Sequence, residues 1–120
     1  MAKTTLDCAF TVHSELGPGL LERAYEACML LELHEKGLKA VTQKIVPVLY
    51  KGTKIDTGFR LDLLIEDELI VEIKSVEGIL PVHSAQLLSY LRLSDKRLGL
   101  LINFNVSRLK HGIRRIVNGL

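Results

Sequence analysis

The chain has only two cysteines, Cys8 and Cys28, in 120 residues, and they form no CxxC pair. Both fall in helix-like segments, where they read as small buried apolar side chains in a reducing compartment rather than as a disulfide or a zinc site. Long apolar runs are absent as well. No stretch suffices to span a membrane, and the N-terminus lacks the apolar core of a signal peptide. The expected location is therefore cytoplasmic. Charge of one sign is also lacking: 16 Lys and Arg against 14 Asp and Glu leave a net +2, too little by itself to mark a polyanion binder. Repeats, low-complexity tracts and linkers are missing. What remains is an ordinary globular composition, 48% hydrophobic and 25% charged. The length suits one domain, residues 1–120, with a modest core.

The segment from Arg60 to Lys74 carries the chemistry. Two apolar runs, Leu61 to Ile65 and Leu69 to Ile73, flank the acidic turn Glu66-Asp67-Glu68 and read as a hairpin. Alternation along a strand puts Glu72 and Lys74 on one face, roughly 7 Å apart, with Leu69, Val71 and Ile73 on the other. Asp62 lies on the partner strand, with Leu61 and Leu63 opposed to it. Two carboxylates and an ammonium then share apolar surroundings, which is costly unless they are paired or bind a metal.

Around that hairpin the chain reads as helix, three strands, helix, strand. The first helix covers Thr4 to Leu16, with an apolar stripe of Leu6, Ala9, Phe10, His13 and Leu16. Gly17-Pro18-Gly19 breaks it, and a second helix runs from Leu20 to Lys36 with Leu21, Ala24, Tyr25, Cys28 and Leu31 inward. Strands at 39–50, 54–65 and 69–76 form an antiparallel meander. Pro47 suggests an edge or bulge, and Gly58 a bulge or close approach. Pro81 opens a third helix with Val82, Ala85, Leu88 and Leu91 at helical spacing and Leu87 beside them. Gln86 and Tyr90 share one of its faces. The apolar run from Arg97 to Phe104 is a strand that the helix returns to a parallel position. The tail 106–120 fits either a short helix or a terminal strand. It carries Arg108, Lys110, His111, Arg114 and Arg115, either a solvated face or a track for phosphates.

Hard divalent cations choose carboxylates, carbonyls and water, at about 2.1 Å for Mg²⁺. Asp62 and Glu72 on adjacent strands supply two such ligands, and the Ile73 backbone carbonyl a third. A metal there would polarise a phosphoryl oxygen and acidify a bound water. Lys74 would orient the hydroxide and offset charge on phosphorus. The bland alternative is a cross-strand Asp62–Lys74 ion pair, worth only about 0–1 kcal/mol if exposed.

Asp62, then nine residues, then Glu72-Ile73-Lys74 resembles the D…(D/E)xK signature of the PD-(D/E)xK nuclease superfamily. Gly19-Leu-Leu-Glu22-Arg-Ala-Tyr25 resembles the GxxExxY pattern of a small prokaryotic family within it. Gln86-Leu-Leu-Ser-Tyr90 resembles the QxxxY motif of its recombination-exonuclease branch. The resemblance runs from about Leu6 to Ile116. The proline that usually precedes the aspartate is replaced by Leu61.

The resemblance implies a restriction-endonuclease-like αβββαβ core, an α/β fold with a mixed four-stranded sheet flanked by helices. It implies Asp62 and Glu72 as metal ligands and Lys74 as the catalytic lysine. Glu22 becomes a helix acid reaching the metal through water, Gln86 and Tyr90 contact the substrate strand or hold the site together, and Arg60 contacts phosphate or pairs with a carboxylate. The implied function is a Mg²⁺- or Mn²⁺-dependent nuclease acting on DNA, without a membrane partner. A core this compact gains a second grip by dimerising, so a homodimer is expected. The competing reading is a non-catalytic nucleic-acid-binding or assembly module that keeps the nuclease fold, and a weaker third is a small-molecule phosphohydrolase. Glu22 also has a local explanation, since an acid in the first helical turn favours the helix dipole.

Overall fold

The computed structural model describes residues 1–119, apart from the side chain of Thr57. Helix α1 spans Ala2–Leu16 and ends at Gly17 with φ 67, a left-handed value that a Cβ disfavours. The Gly-Pro-Gly run then reverses the chain into α2, Glu22–Glu35. Strands β1 (Ala40–Tyr50) and β2 (Thr53–Ile65) make a long antiparallel hairpin, and β3 (Leu69–Lys74) returns beside β2 through the acidic turn. Helix α3, Pro81–Ser94, carries the chain across the sheet so that β4, Leu98–Asn103, lies parallel to β3.

The sheet has five strands in the order β1-β2-β3-β4-β5, not the expected four. The added strand, β5 (Ile113–Val117), follows a 3-10 turn at Leu109–Gly112 and runs antiparallel to β4. That decides residues 113–117 of the tail in favour of a strand; Leu120 lies outside the described residues. The physical reason is the edge of β4. Leu100, Leu101 and Ile102 are buried, and β5 satisfies the backbone groups that would otherwise leave this apolar strand as a bare edge. Ile113 and Ile116 take opposite faces of the sheet, each packing against a different core.

Two cores sandwich the sheet. On one face α1 and α2 bury Cys8, Ala9, Val12, Tyr25, Met29 and Leu33 against Leu63, Val71, Ile73 and Ile102. On the other, Leu87 and Leu91 of α3 cover Leu61, Leu64, Ile70 and Leu101. The inward stripes of the helices differ from those expected. In α1 the buried face is Thr5, Cys8, Ala9 and Val12, leaving Phe10 exposed. In α2 it is Tyr25, Met29 and Leu33, with Leu21 and Leu31 outside. Val82 of α3 is exposed too. Each helix holds more apolar residues than one face can bury, so packing against the sheet, not periodicity, selects which turn inward. Both cysteines are free thiols, Cys8 buried and Cys28 half-buried. Among the described residues no helix is long and apolar enough to cross a membrane.

Gly58 marks a close approach. A Cβ there would collide with the Val46 carbonyl, beside the register shift between Val46 and Val48. The two strands touch backbone to backbone at this point, and Val46 and Phe59 beside it pack against the α3-side core.

Candidate active site at the carboxyl end of the parallel strands

The β2–β3 ladder pairs Ile65 with Leu69, Leu64 with Ile70 and Leu63 with Val71, and its recorded pairing ends there. Past that point the bonds between the strands are made by carboxylates. The Ile73 N–H donates to Asp62 Oδ2 at 2.8 Å, and the Asp62 N–H donates to Glu72 Oε1 at 3.3 Å. Side-chain oxygens thus stand where backbone carbonyls would continue the ladder. The Lys74 carbonyl accepts from the Phe104 N–H at 2.9 Å on the β4 side. Backbone groups of successive strand residues face alternate edges, so the Ile73 carbonyl turns toward β2, beside Asp62.

Leu61 and Leu63 do not share a face, contrary to the sequence reading. Leu63 lies in the first core and Leu61 in the second. The alternation breaks at Asp62, opposite Gln43, which adopts φ 52 between the Thr42–Leu63 and Lys44–Leu61 pairs. This break leaves Asp62 reaching across to β3.

Glu72 is only 6% exposed. Burial, then the adjacent Asp62 charge, pushes its carboxyl up to about 8, while Lys74 pulls weakly the other way. Lys74 is half-buried. The ion pairs among the described residues are Lys3–Asp7 and Lys96–Asp67, so the Asp62–Lys74 pair weighed as the bland alternative does not form. The ammonium stands at the carboxylate pair without neutralising it.

The segment before α2 is tied to the same end. The Tyr25 hydroxyl donates to the Gly17 carbonyl at 2.6 Å and accepts from the Leu20 N–H at 3.1 Å. The Ser75 hydroxyl, one residue past Lys74, donates to the Leu20 carbonyl at 2.5 Å. Tyr25 itself is buried and stacks on Phe104 with ring centroids 4.5 Å apart. Glu22 opens α2 close to this junction, exposed to solvent. Among the described residues no three His, Cys, Asp or Glu side chains gather closely enough to hold a metal. Glu22 therefore stands at the site's end of the fold but outside the carboxylate pair. Glu26 of α2 feels Asp62: its carboxyl is raised first by burial and also by the Asp62 charge, and it accepts from the Gln43 amide at 2.9 Å.

On the opposite face of the sheet, the Gln86 amide donates to the Tyr90 hydroxyl at 2.8 Å. The Tyr90 ring stacks on Phe59 at 4.4 Å, nearly parallel. Its hydroxyl is pushed up by burial and then by the Glu72 and Asp62 charges, which puts Tyr90 in the field of the pair. Arg60 is exposed and lines a shallow cavity with Arg23, Glu26 and Gln43, on the α2 side.

Two contributors escaped the sequence reading. Phe59 supports Tyr90, and Asn103, 1% exposed, bonds to Val76 and Asn105. Asn103 had a visible signal: it is a polar residue closing the apolar run Leu98–Ile102, where a buried amide must find partners.

A family model described as the PD-(D/E)XK nuclease superfamily matches residues 1–116. The chain belongs to the PD-(D/E)XK nuclease superfamily. Its mixed sheet between helices is the restriction-endonuclease-like fold of that superfamily, here with five strands. The crystal structure of SSO0001 superimposes with a TM-score of 0.53 at 25% identity, covering 98% of this chain and 66% of that one. This PD-(D/E)XK chain thus spans just under two thirds of SSO0001's length. No curated protein matches the chain.

PD-(D/E)XK nucleases generally use divalent metals and act on nucleic acid. The donor set fits such an ion. Asp62, Glu72 and the Ile73 carbonyl are hard oxygens, and the Glu72 carboxyl, raised by burial and then by the Asp62 charge, is a group whose ionised form a cation would favour.

Proposed function

We propose that this protein is a Mg²⁺- or Mn²⁺-dependent nuclease that hydrolyses phosphodiester bonds in DNA, and a member of the GxxExxY family within its superfamily. The observation that carries the reading is the Asp62–Glu72 pair, bridging two strands where their ladder ends, beside an ammonium without a carboxylate partner. A purely structural ion pair would use that ammonium.

Asp62, Glu72 and the Ile73 carbonyl would hold the ion, which would supply polarisation of a phosphoryl oxygen and a water acidic enough to be a nucleophile at neutral pH. Lys74 directs its ammonium at the attacked phosphate, orienting the nucleophile and offsetting charge as it develops on the oxygens. Glu22 acts from the α2 terminus through water. Gln86 and Tyr90, locked together and braced by Phe59, contact the substrate strand on the α3 side, and Arg60 contacts phosphate on the α2 side.

Mg²⁺-dependent cleavage should vanish in Glu72→Ala, and in Lys74→Ala should fall by about 10²-fold or more with metal binding retained. Circular dichroism would confirm the fold of each. A folded wild-type protein that binds no metal by calorimetry, and stays inert on duplex, single-stranded and branched DNA and on RNA, overturns the proposal.

The exposure of Glu22 outside the pair favours a second reading, a nucleic-acid-binding or assembly module without turnover. Metal and DNA binding without cleavage would select it. We also propose a homodimer, supported by the exposed apolar side chains Ile45, Leu49 and Tyr50 on the outer hairpin. Sedimentation as a strict monomer at high concentration would refute it.

A further inference from the structure

The charge of the chain is unevenly divided. Residues 1–95 hold ten Lys and Arg against fourteen Asp and Glu, whereas residues 96–120 hold six Lys and Arg and no acid. The fold sets part of that excess at the end of the sheet where Lys74 stands. Lys74 pairs with Asn103 at the end of β4, and β5 starts at Ile113 beside Ile102. The segment 104–112 therefore turns over the same end of the sheet at which Lys74 stands. It carries Arg108 and Lys110, and Arg114 follows at the start of β5. All three are exposed, and among the described residues none has a carboxylate within ion-pair distance. Two strand spacings put the β5 backbone about 10 Å from β3.

This basic turn is fixed in place. Leu109 is 2% exposed and anchors it to the first core. Gly112 lies so close to the Asn103 carbonyl that a Cβ would collide. The Asn103 amide donates to the Val76 carbonyl at 2.9 Å, and its side-chain oxygen accepts from the Val76 N–H at 3.1 Å and the Asn105 N–H at 3.2 Å. One buried side chain thus joins the segment just past Lys74 to the segment that leads into the cations. Cations held in register with a phosphodiester-cleaving lysine fit a ligand that carries one charge per repeat on both sides of the attacked bond.

We infer that Arg108, Lys110 and Arg114 form a phosphate-backbone track that holds the nucleic-acid strand flanking the phosphodiester at Asp62, Glu72 and Lys74. The inference rests on the nuclease reading for the identity of that phosphodiester, and it adds where the strand lies and which side chains carry it.

The test is binding without turnover. A labelled DNA oligonucleotide is titrated by fluorescence anisotropy in chelator across a salt series, with the Arg108→Ala/Lys110→Ala/Arg114→Ala variant beside wild type. Each lost phosphate contact lowers the slope of log K against log salt by about 0.7 to 0.9. The triple variant should therefore lose about 2 to 3 in slope and bind at least about 10-fold more weakly at low salt. Each single variant should lose just under 1 in slope, which keeps the test intact if the triple variant folds poorly. The Lys36→Ala/Lys39→Ala control lies at the far end of the sheet, where Lys39 meets Glu66, and should match wild type. A triple variant with the wild-type slope, no DNA binding by wild type, or displacement by polyglutamate as effective as by DNA would overturn the track. Full binding with no cleavage in Mg²⁺ would instead remove the nuclease reading and leave the track standing. Cleavage with an unchanged slope would do the reverse.

Discussion

Glu72 combines near-complete burial with a carboxylate neighbour, and the two together push its carboxyl from 4.5 to about 8. An acid whose pKa is raised on folding binds its proton more tightly in the native state. Its contribution to stability is then complete below about pH 4.5 and is lost as pH rises through about 8. The full span is worth on the order of 5 kcal/mol. Between pH 5.5 and 7.5 the metal-free protein should lose about 3 kcal/mol, roughly 10 °C in Tm for a domain of this size. Urea and thermal unfolding in chelator across that range measure the loss. Glu72→Gln keeps the shape and removes the proton, so its stability should be nearly flat over the same window. Saturating Mg²⁺ should also flatten the wild-type curve, because a cation favours the ionised form. Stability that holds or rises from pH 5.5 to 7.5 in metal-free wild type would refute the reasoning, as would a Glu72→Gln variant that keeps the slope.

The same protonation predicts that Mg²⁺ binding at pH 7 releases most of one proton, and at pH 9 far less. Calorimetry in buffers of different ionisation enthalpy counts those protons, and none released at pH 7 would contradict the carboxylate geometry. Tyr25→Phe keeps the stack on Phe104 but leaves the Gly17 carbonyl and Leu20 N–H without their partner. It should cost about 1–3 kcal/mol in urea unfolding, and a change within experimental error would mean that the hydroxyl does not close the turn. Gly58→Ala drives a Cβ into the Val46 carbonyl, and two backbones cannot separate cheaply there. A loss of about 2 kcal/mol or more is expected, and a loss under about 0.5 kcal/mol would show that the hairpin is not pinned at that point.

The order of elements and the carboxylates at Asp62 and Glu72 were legible in the sequence, because both rest on local rules. Alternation places Glu72 opposite Ile73, and a glycine-proline-glycine run must break a helix wherever it falls. Gly58 showed its bulge in the same way. The inward faces of α1 and α2 were not legible. Phe10 and Leu31 fit a helical stripe as well as Cys8 and Met29 do, and only contact with the sheet decides between them. Nor could the fifth strand be read. Residues 113–117 become a strand because β4 offers an unpaired edge, a partner far away along the chain.

The site divides in the same way. Sequence by itself determined which residues carry charge in apolar surroundings, since burial of Glu72 follows from the strand that contains it. Tertiary structure decided what those charges meet. It joined Asp62 to Glu72 and not, as in the bland alternative, to Lys74, left Glu22 at the surface, and brought Tyr90, Asn103 and a basic turn to one end of the sheet. Alternation along a strand is a property of one chain segment. The distance between two charges on different strands is a property of where the ladder ends, and the pairing of all five strands sets that.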